Sequence, residues 1–237
     1  MTANKPGDPT TLHRLYGRSK GKKLRVGQQG LVDTLLPRIA VPAEGEVTAE
    51  RLFGRDCPLH FEIGFGAGEH MAYRADMLPD HGFIGAEPFL NGVAQALMHV
   101  DGDGGMRTPL GNVRIQHGDA LEVLERIPDG ALSFVYLLHP DPWPKARHAK
   151  RRMMNDGPVS MIAAKLRPGG EFRFGTDHPI YLRHALMVMR RHRDKFEWLC
   201  DKPADFIDRP GGWPETRYAA KARAQSHEVW HFRYRRC

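Results

Sequence analysis

At 237 residues the chain can close one generous hydrophobic core, and its composition, 41% hydrophobic and 27% charged, is that of a water-soluble globular domain. No uninterrupted apolar run approaches the ~18–20 residues that span a bilayer, and Met1–Thr10 lacks the apolar stretch of a signal peptide, so a cytoplasmic location without membrane partners is expected. Lys and Arg total 35 against 28 acids, a formal charge of +7 that favours polyanionic partners, while the scattered cysteines Cys57, Cys200 and Cys237 and the absence of any C-x-x-C or H-E-x-x-H spacing suggest neither a disulfide framework nor a metal site.

The chain opens on a basic stretch: from His13 to Arg25, HRLYGRSKGKKLR holds six Lys or Arg, two Gly and no acid. With so little apolar surface to bury, residues 1–30 are expected to be a flexible basic arm and residues 31–237 a single domain. LVDTLLPRIAV, residues 31–41, gives a short amphipathic element ended by Pro37 and Pro42. The core is expected from near residue 57, where strand and helix patterns begin to alternate. Strands are predicted at Leu59–Ile63, Gly82–Ala86, Val113–His117, Leu132–Leu138, Glu171–Gly175 and Glu228–Tyr234. Helices are predicted at Glu69–Leu78, Phe89–Val100, Ala120–Arg126, Asp156–Leu166 and Pro179–Arg193, and Asp101–Gly105 (DGDGG) reads as a surface turn. This alternation implies a mostly parallel sheet covered by helices on both faces.

The first strand runs into Glu62-Ile-Gly64-Phe-Gly66-Ala-Gly68-Glu69, an acid at the strand end and three glycines in the turn before a helix. Glycines there let backbone approach a ligand closely. A dinucleotide site would want a third glycine at position 69, where Glu69 stands, and Glu62 would repel a pyrophosphate; it suits the cationic amino acid end of S-adenosylmethionine. Glu87, 19 residues past Gly68, ends the next strand, where an acid can take both hydroxyls of an adenosine ribose. Asp119 follows the third strand, within reach of the adenine amino group in a doubly wound order; taken singly, it reads equally well as a helix cap.

The fourth strand enters His139-Pro-Asp-Pro-Trp-Pro-Lys145, whose three prolines fix the backbone at the carboxyl edge of the sheet. Asp141 is placed to accept from a base edge, and Trp143 to stack on a base or wall the pocket. Lys145, Arg147, Lys150, Arg151 and Arg152 follow, five positive charges in eight residues, which reads as a phosphate cradle. Asp177 ends the fifth strand, and Arg209–Tyr218 is a turn-rich insertion whose Thr216 and Tyr218 are compatible with the acceptor pocket or with a surface loop.

E-I-G-F-G-A-G, H-P-D-P-W-P-K-A-R-H-A-K-R-R, Thr176-Asp177 and P-E-T-R-Y together resemble the bacterial tRNA (guanine-N7-)-methyltransferase family, with the likeness running from about Leu59 to the C-terminus. The resemblance implies an α/β, Rossmann-like class I methyltransferase fold with a seven-stranded, mostly parallel sheet. It also implies S-adenosyl-L-methionine as donor without a metal, and methylation of guanosine 46 in the variable loop of tRNA. By position, Glu62, Glu87, Asp119 and Asp141 look like the donor-binding acids beside Gly64, Gly66 and Gly68, with Asp141 also the catalytic residue. Lys145, Asp177 and the Thr216–Ala219 stretch, with Arg217 and Tyr218, look like substrate contacts, and Arg147–Arg152 looks like the RNA-interacting segment. Ala219 departs from the family pattern, which has Glu after T-K/R-Y/F.

Guanine N7 carries an in-plane lone pair, so methyl transfer to it needs alignment and electrostatics and no general base. Two rival readings remain: an exocyclic amino methyltransferase on RNA, since an acid-Pro-aromatic turn also suits an adenine amine, and a non-catalytic RNA-binding protein that kept the fold. No obligate protein partner is implied, and the chain would act as a monomer or homodimer.

Overall fold

The structure is a computed structural model and describes residues 21–102, 109–214, 216–225 and 227–237. Residues 1–20 of the expected arm and residues 103–105 of the expected turn lie outside the described residues.

Among the described residues three short helices precede the sheet: α1 (Val26–Thr34), α2 (Leu36–Ile39) and α3 (Ala49–Phe53). Pro37 stands in the first turn of α2, where a missing N–H is no loss, so it opens a helix instead of ending one. Ile39, Val41, Val47, Ala49 and Leu52 are all buried, which moves the start of the core from residue 57 to residue 39. The boundary expected at residue 30 falls inside α1, whose Leu31 and Val32 pack against the core.

The sheet is built from β1 (Leu59–Ile63), β2 (Gly82–Ala86), β3 (Val113–Gln116), β4 (Leu132–Leu138), β5 (Leu166–Thr176), β6 (Phe196–Trp198) and β7 (Trp230–Arg236). Its seven strands run in the order β3-β2-β1-β4-β5-β7-β6; β1 to β5 are mutually parallel, and β7 is antiparallel to both its neighbours. Helices α4 (Glu69–Met77), α5 (Leu90–Asp101), α6 (Ala120–Arg126), α7 (Asp156–Lys165) and α8 (Pro179–Arg191) fill the crossovers, and α9 (Ala204–Ile207) and α10 (Arg217–Ala224) precede β7.

The two-residue period of the strands sorts their side chains between two cores. Phe83, Val113 and Ile115 face α4 and α5, meeting Met71, Val93 and Leu97. Phe61, Ile84, Val135, Phe172 and Phe174 face α6, α7 and α8, meeting Leu124, Ile162, Tyr181 and Val188. Each such side chain, buried from water, contributes about 1.5–3 kcal/mol. Under α4 the second face of β1 and β4 is polar and aromatic: His60 is stacked between Phe83 and Phe134 and bonds the Tyr136 hydroxyl at 3.0 Å and His81 at 2.8 Å.

β5 starts five residues before the predicted Glu171, because Pro168–Gly170 forms a bulge that shifts the register against β4, with Gly169 at φ +75°. β6, three residues long, has no counterpart among the predicted strands. Among the described residues no helix is long and apolar enough to cross a membrane. The carboxyl ends of β1 to β5 share one edge, and the chain order reverses between β1 and β4, which opens a crevice there.

Candidate active site

That crevice is a cavity of about 1030 Å³. Its first wall is the turn after β1. Gly64 and Gly66 adopt φ of 67° and 59°, in the left-handed region that only glycine enters freely. The Gly64 N–H bonds the Ala86 carbonyl at 2.8 Å, and the Gly66 N–H donates to Glu87 Oε2 at 2.9 Å, so the turn is tied to the end of β2. Glu87 Oε1 takes the Phe89 N–H at 2.9 Å. Burial raises the Glu87 carboxyl above its ordinary range; the two backbone N–H groups oppose this and nearby Asp141 adds to it. Glu87 thus holds the loop and still presents carboxylate lone pairs to the cavity.

Glu62 is buried at the end of β1 and pairs with His70 of α4, Nδ1 to Oε2 at 2.7 Å. Asp119 serves both readings open to it: it caps α6 by accepting the Leu121 N–H at 2.9 Å, and it lines the cavity. Gly68 corrects the expectation of a third donor-contacting glycine. It does not border the cavity; a Cβ there would sit 2.5 Å from Ala96 Cβ, so its role is the close packing of α4 on α5. Gly92, not singled out from the sequence, is held to glycine for a related reason, since a Cβ would lie 2.4 Å from the Gly66 carbonyl oxygen.

The facing wall is the turn after β4, where His139 and Trp143 take φ of 50° and 42°. Two non-glycine residues in the left-handed region within five positions are costly, at roughly 1–3 kcal/mol each, and persist only where surrounding contacts impose them. Asp141 opens on the cavity, yet the protein packed around it raises its carboxyl above the usual range. Trp143 is half-buried, with the Arg151 guanidinium 4.9 Å from its ring and His148 against its edge.

The 3-10 helix Ala146–Arg151 sets the outer rim. Lys150 and Arg151 line the cavity, while Lys145 and Arg147 are exposed beyond it. Arg152 departs from the phosphate-cradle expectation. Its guanidinium is buried and donates to the Pro142 and Trp143 carbonyls at 3.0 and 2.9 Å, so it is tied to the turn, although the residue also borders the cavity.

From the other side α10 leans over the cavity. Thr216 caps it, accepting the Ala219 N–H at 3.2 Å. Tyr218 reaches Gly66 closely enough that a Cβ there would lie 3.3 Å from its ring, and it stacks with His139 at a centroid distance of 6.2 Å. Arg217 turns to Glu69 of α4 at 2.6 Å. Asp177 stands just outside, 3.9 Å from both His139 and His227.

Residues 56–232 match the family described as "Putative methyltransferase". Over essentially the whole of both chains, the sequence is 83% identical to a protein of Sphingopyxis alaskensis, 77% to one of Novosphingobium aromaticivorans and 58% to one of Zymomonas mobilis, each named tRNA (guanine-N(7)-)-methyltransferase. The chain belongs to the tRNA (guanine-N(7)-)-methyltransferase family. The fold agrees with solved methyltransferases of distant sequence. The 16S rRNA methyltransferase KamB aligns with a TM-score of 0.53 at 14% identity, covering 83% of this chain and 98% of that one. An antibiotic-related methyltransferase aligns at 0.51 and 15%, covering 90% and 96%.

The cavity brings together Glu62, Gly64, Gly66, Glu87, Asp119, Asp141, Lys150, Arg151, Arg152, Thr216 and Tyr218 of the residues expected from sequence. It leaves Gly68, Lys145, Arg147, Asp177 and Arg217 off its lining. It adds Glu69, His70, Phe89 and Asn155. The signal that could have found His70 is its place in the first turn of α4, from which it faces back towards Glu62.

Proposed function

We propose that this chain uses S-adenosyl-L-methionine to methylate N7 of a guanosine in tRNA, and that the guanosine is position 46 of the variable loop. One observation carries the reading. The strand-end acids Glu62, Glu87 and Asp119 and the Asp141 turn border a single cavity rimmed by Lys150 and Arg151, in a chain of this family.

The residues suit the donor. The left-handed Gly64 and Gly66 leave room for close approach, the Glu87 carboxylate accepts from a ribose, and the buried Glu62 meets a cationic amino group. When bound, the donor supplies an electrophilic sulfonium methyl. The protein's part is then alignment: Asp141 accepts from the guanine edge, Trp143 and Tyr218 wall the base, and the Asp141 carboxylate offsets the positive charge that grows on the purine as N7 is alkylated. No group needs to take a proton, because N7 has none. Lys150 and Arg151, with exposed Lys145 and Arg147, meet the flanking phosphates, and the tRNA is engaged in the cytoplasm.

The test is transfer of labelled methyl from S-adenosylmethionine to unmodified tRNA, followed by aniline cleavage at 7-methylguanosine. Cleavage at position 46 is expected. Label at another base or atom would overturn the assignment of position or of N7.

A further inference from the structure

The geometry points to Arg152 as a positioning residue for methyl transfer, one that holds the Pro140–Trp143 turn so that the Asp141 carboxylate faces the reacting base. The inference rests on the role proposed for Asp141.

Arg152 closes a run of five cations in eight residues, yet it alone of them is buried, with 5% of its surface exposed. Its Nε donates to the Pro142 carbonyl at 3.0 Å and its Nη2 to the Trp143 carbonyl at 2.9 Å, so one rigid fork grips two consecutive carbonyls on the C-terminal side of Asp141. The face of the guanidinium lies 5.9 Å from the Tyr181 ring of α8. Tyr181 is fully buried and its hydroxyl accepts the Met154 N–H at 3.2 Å, which anchors the segment after Arg152 to the core. The Arg152 carbonyl takes Asn155 Nδ2 at 2.6 Å, so both ends of the residue are fixed. Among the described residues no carboxylate lies within ion-pair distance of it.

A desolvated guanidinium satisfied by carbonyls is a brace. What it braces is the strained part of the cavity wall: Trp143 sits at φ 42° and contributes one of the two gripped carbonyls. Prolines 140, 142 and 144 restrict the turn, but they remove N–H donors and so leave it little means of bonding itself; Arg152 supplies donors from outside. A lysine ammonium is a point donor and does not reproduce the two parallel bonds.

The experiment uses the full-length chain and compares R152K, R152A, R151A and D141A. It measures kcat and KM with tRNA, S-adenosylmethionine affinity, the salt dependence of tRNA binding, and thermal unfolding. R152K is expected to lose about 100-fold in kcat, the scale of an ångström of misplacement. Its tRNA KM, donor affinity and salt slope should stay within about threefold of wild type, and guanidinium ion should restore part of the R152A rate. R151A should instead raise KM and flatten the salt slope, as a phosphate contact does.

Undiminished kcat in R152K would overturn the proposal, as would an R152A phenotype matching that of R151A. If R152A does not fold, R152K decides alone. D141A separates the two layers of inference: undiminished turnover there removes the role of Asp141 itself, whereas reduced turnover in D141A with none in R152K removes only the brace.

Discussion

Glu87 has two tasks that pull on one carboxylate. It holds Gly66 and Phe89 by their N–H groups, and it is the acid proposed to meet the donor ribose. Burial raises its carboxyl above the ordinary value of 4.5, so without donor Glu87 keeps its proton at a pH where an exposed glutamate has lost it. The sign of the linkage follows. The raised folded-state value is a stability cost at neutral pH that is relieved as pH falls, while donor binding favours the ionised form and therefore weakens as pH falls. Donor affinity should decline on acidification from a pH above the normal glutamate range, by at most about tenfold per pH unit. Glu87→Gln should bind the donor about 10- to 100-fold more weakly, because charge-assisted hydrogen bonds are removed, and with a flatter pH profile. Calorimetric titration with S-adenosylhomocysteine at several pH values reads both; a wild-type profile in E87Q would remove Glu87 from the donor site.

At the scale of elements, the part of the site nearest the sheet was legible from local pattern, whereas Thr216 and Tyr218, brought from afar, read equally as pocket or surface loop without the family resemblance. β1, β2, β3 and β4 fall within one residue of their predicted bounds because alternation and glycine turns act locally, and the acids at their ends follow from strand direction alone. α10 is different. Nothing in R-Y-A-A-K-A-R-A announces that Tyr218 will lie over Gly66, or that Arg217 will pair with Glu69 across 148 residues of chain, since both contacts depend on how the segment before β7 folds back. Gly68 misled for the converse reason: its left-handed φ looks the same whether a ligand or Ala96 fills the space beside it.

The structure also gives the Ala219 departure a physical meaning. Thr216 is the N-cap of α10 and residue 219 its third helical position, so Thr-x-x-Glu would form a capping box in which the carboxylate returns a bond to the Thr216 N–H. Here Thr216 bonds the Ala219 N–H, and alanine has nothing to return. Ala219→Glu should stabilise the first turn of α10 by about 0.5–1 kcal/mol, with an added benefit from a negative charge at a helix start. Hydrogen exchange at residues 217–220 should slow by about two- to fivefold. Exchange unchanged from wild type would show that the helix start is already set by Thr216 alone.

For the molecule as a whole, the surplus charge of +7 matters through where it stands. Lys150 and Arg151 line the cavity on one side, with Lys145 and Arg147 exposed beyond them. On another, the chain is held at the start of α5, where Asn91 Nδ2 bonds the Lys22 carbonyl at 2.7 Å, two residues from cavity-lining Phe89. The described chain thus begins, at Gly21, beside Phe89 of the cavity lining. Because α1 begins at Val26 and Lys22 is fastened to α5, a truncation that probes the arm and spares the fold must stop at residue 20. Removal of residues 1–20 deletes Lys5, Arg14, Arg18 and Lys20. If each meets a phosphate, the slope of log affinity for tRNA against log salt should fall by roughly 0.7–0.9 for every phosphate that no longer has its cation. Donor affinity and thermal stability should hold, since among the described residues the glycine turn and both cores are made by side chains and backbone beyond residue 30. Filter binding of tRNA across a salt series measures the slope; a truncated chain with the full wild-type slope would place the RNA on the Lys145–Arg151 rim alone.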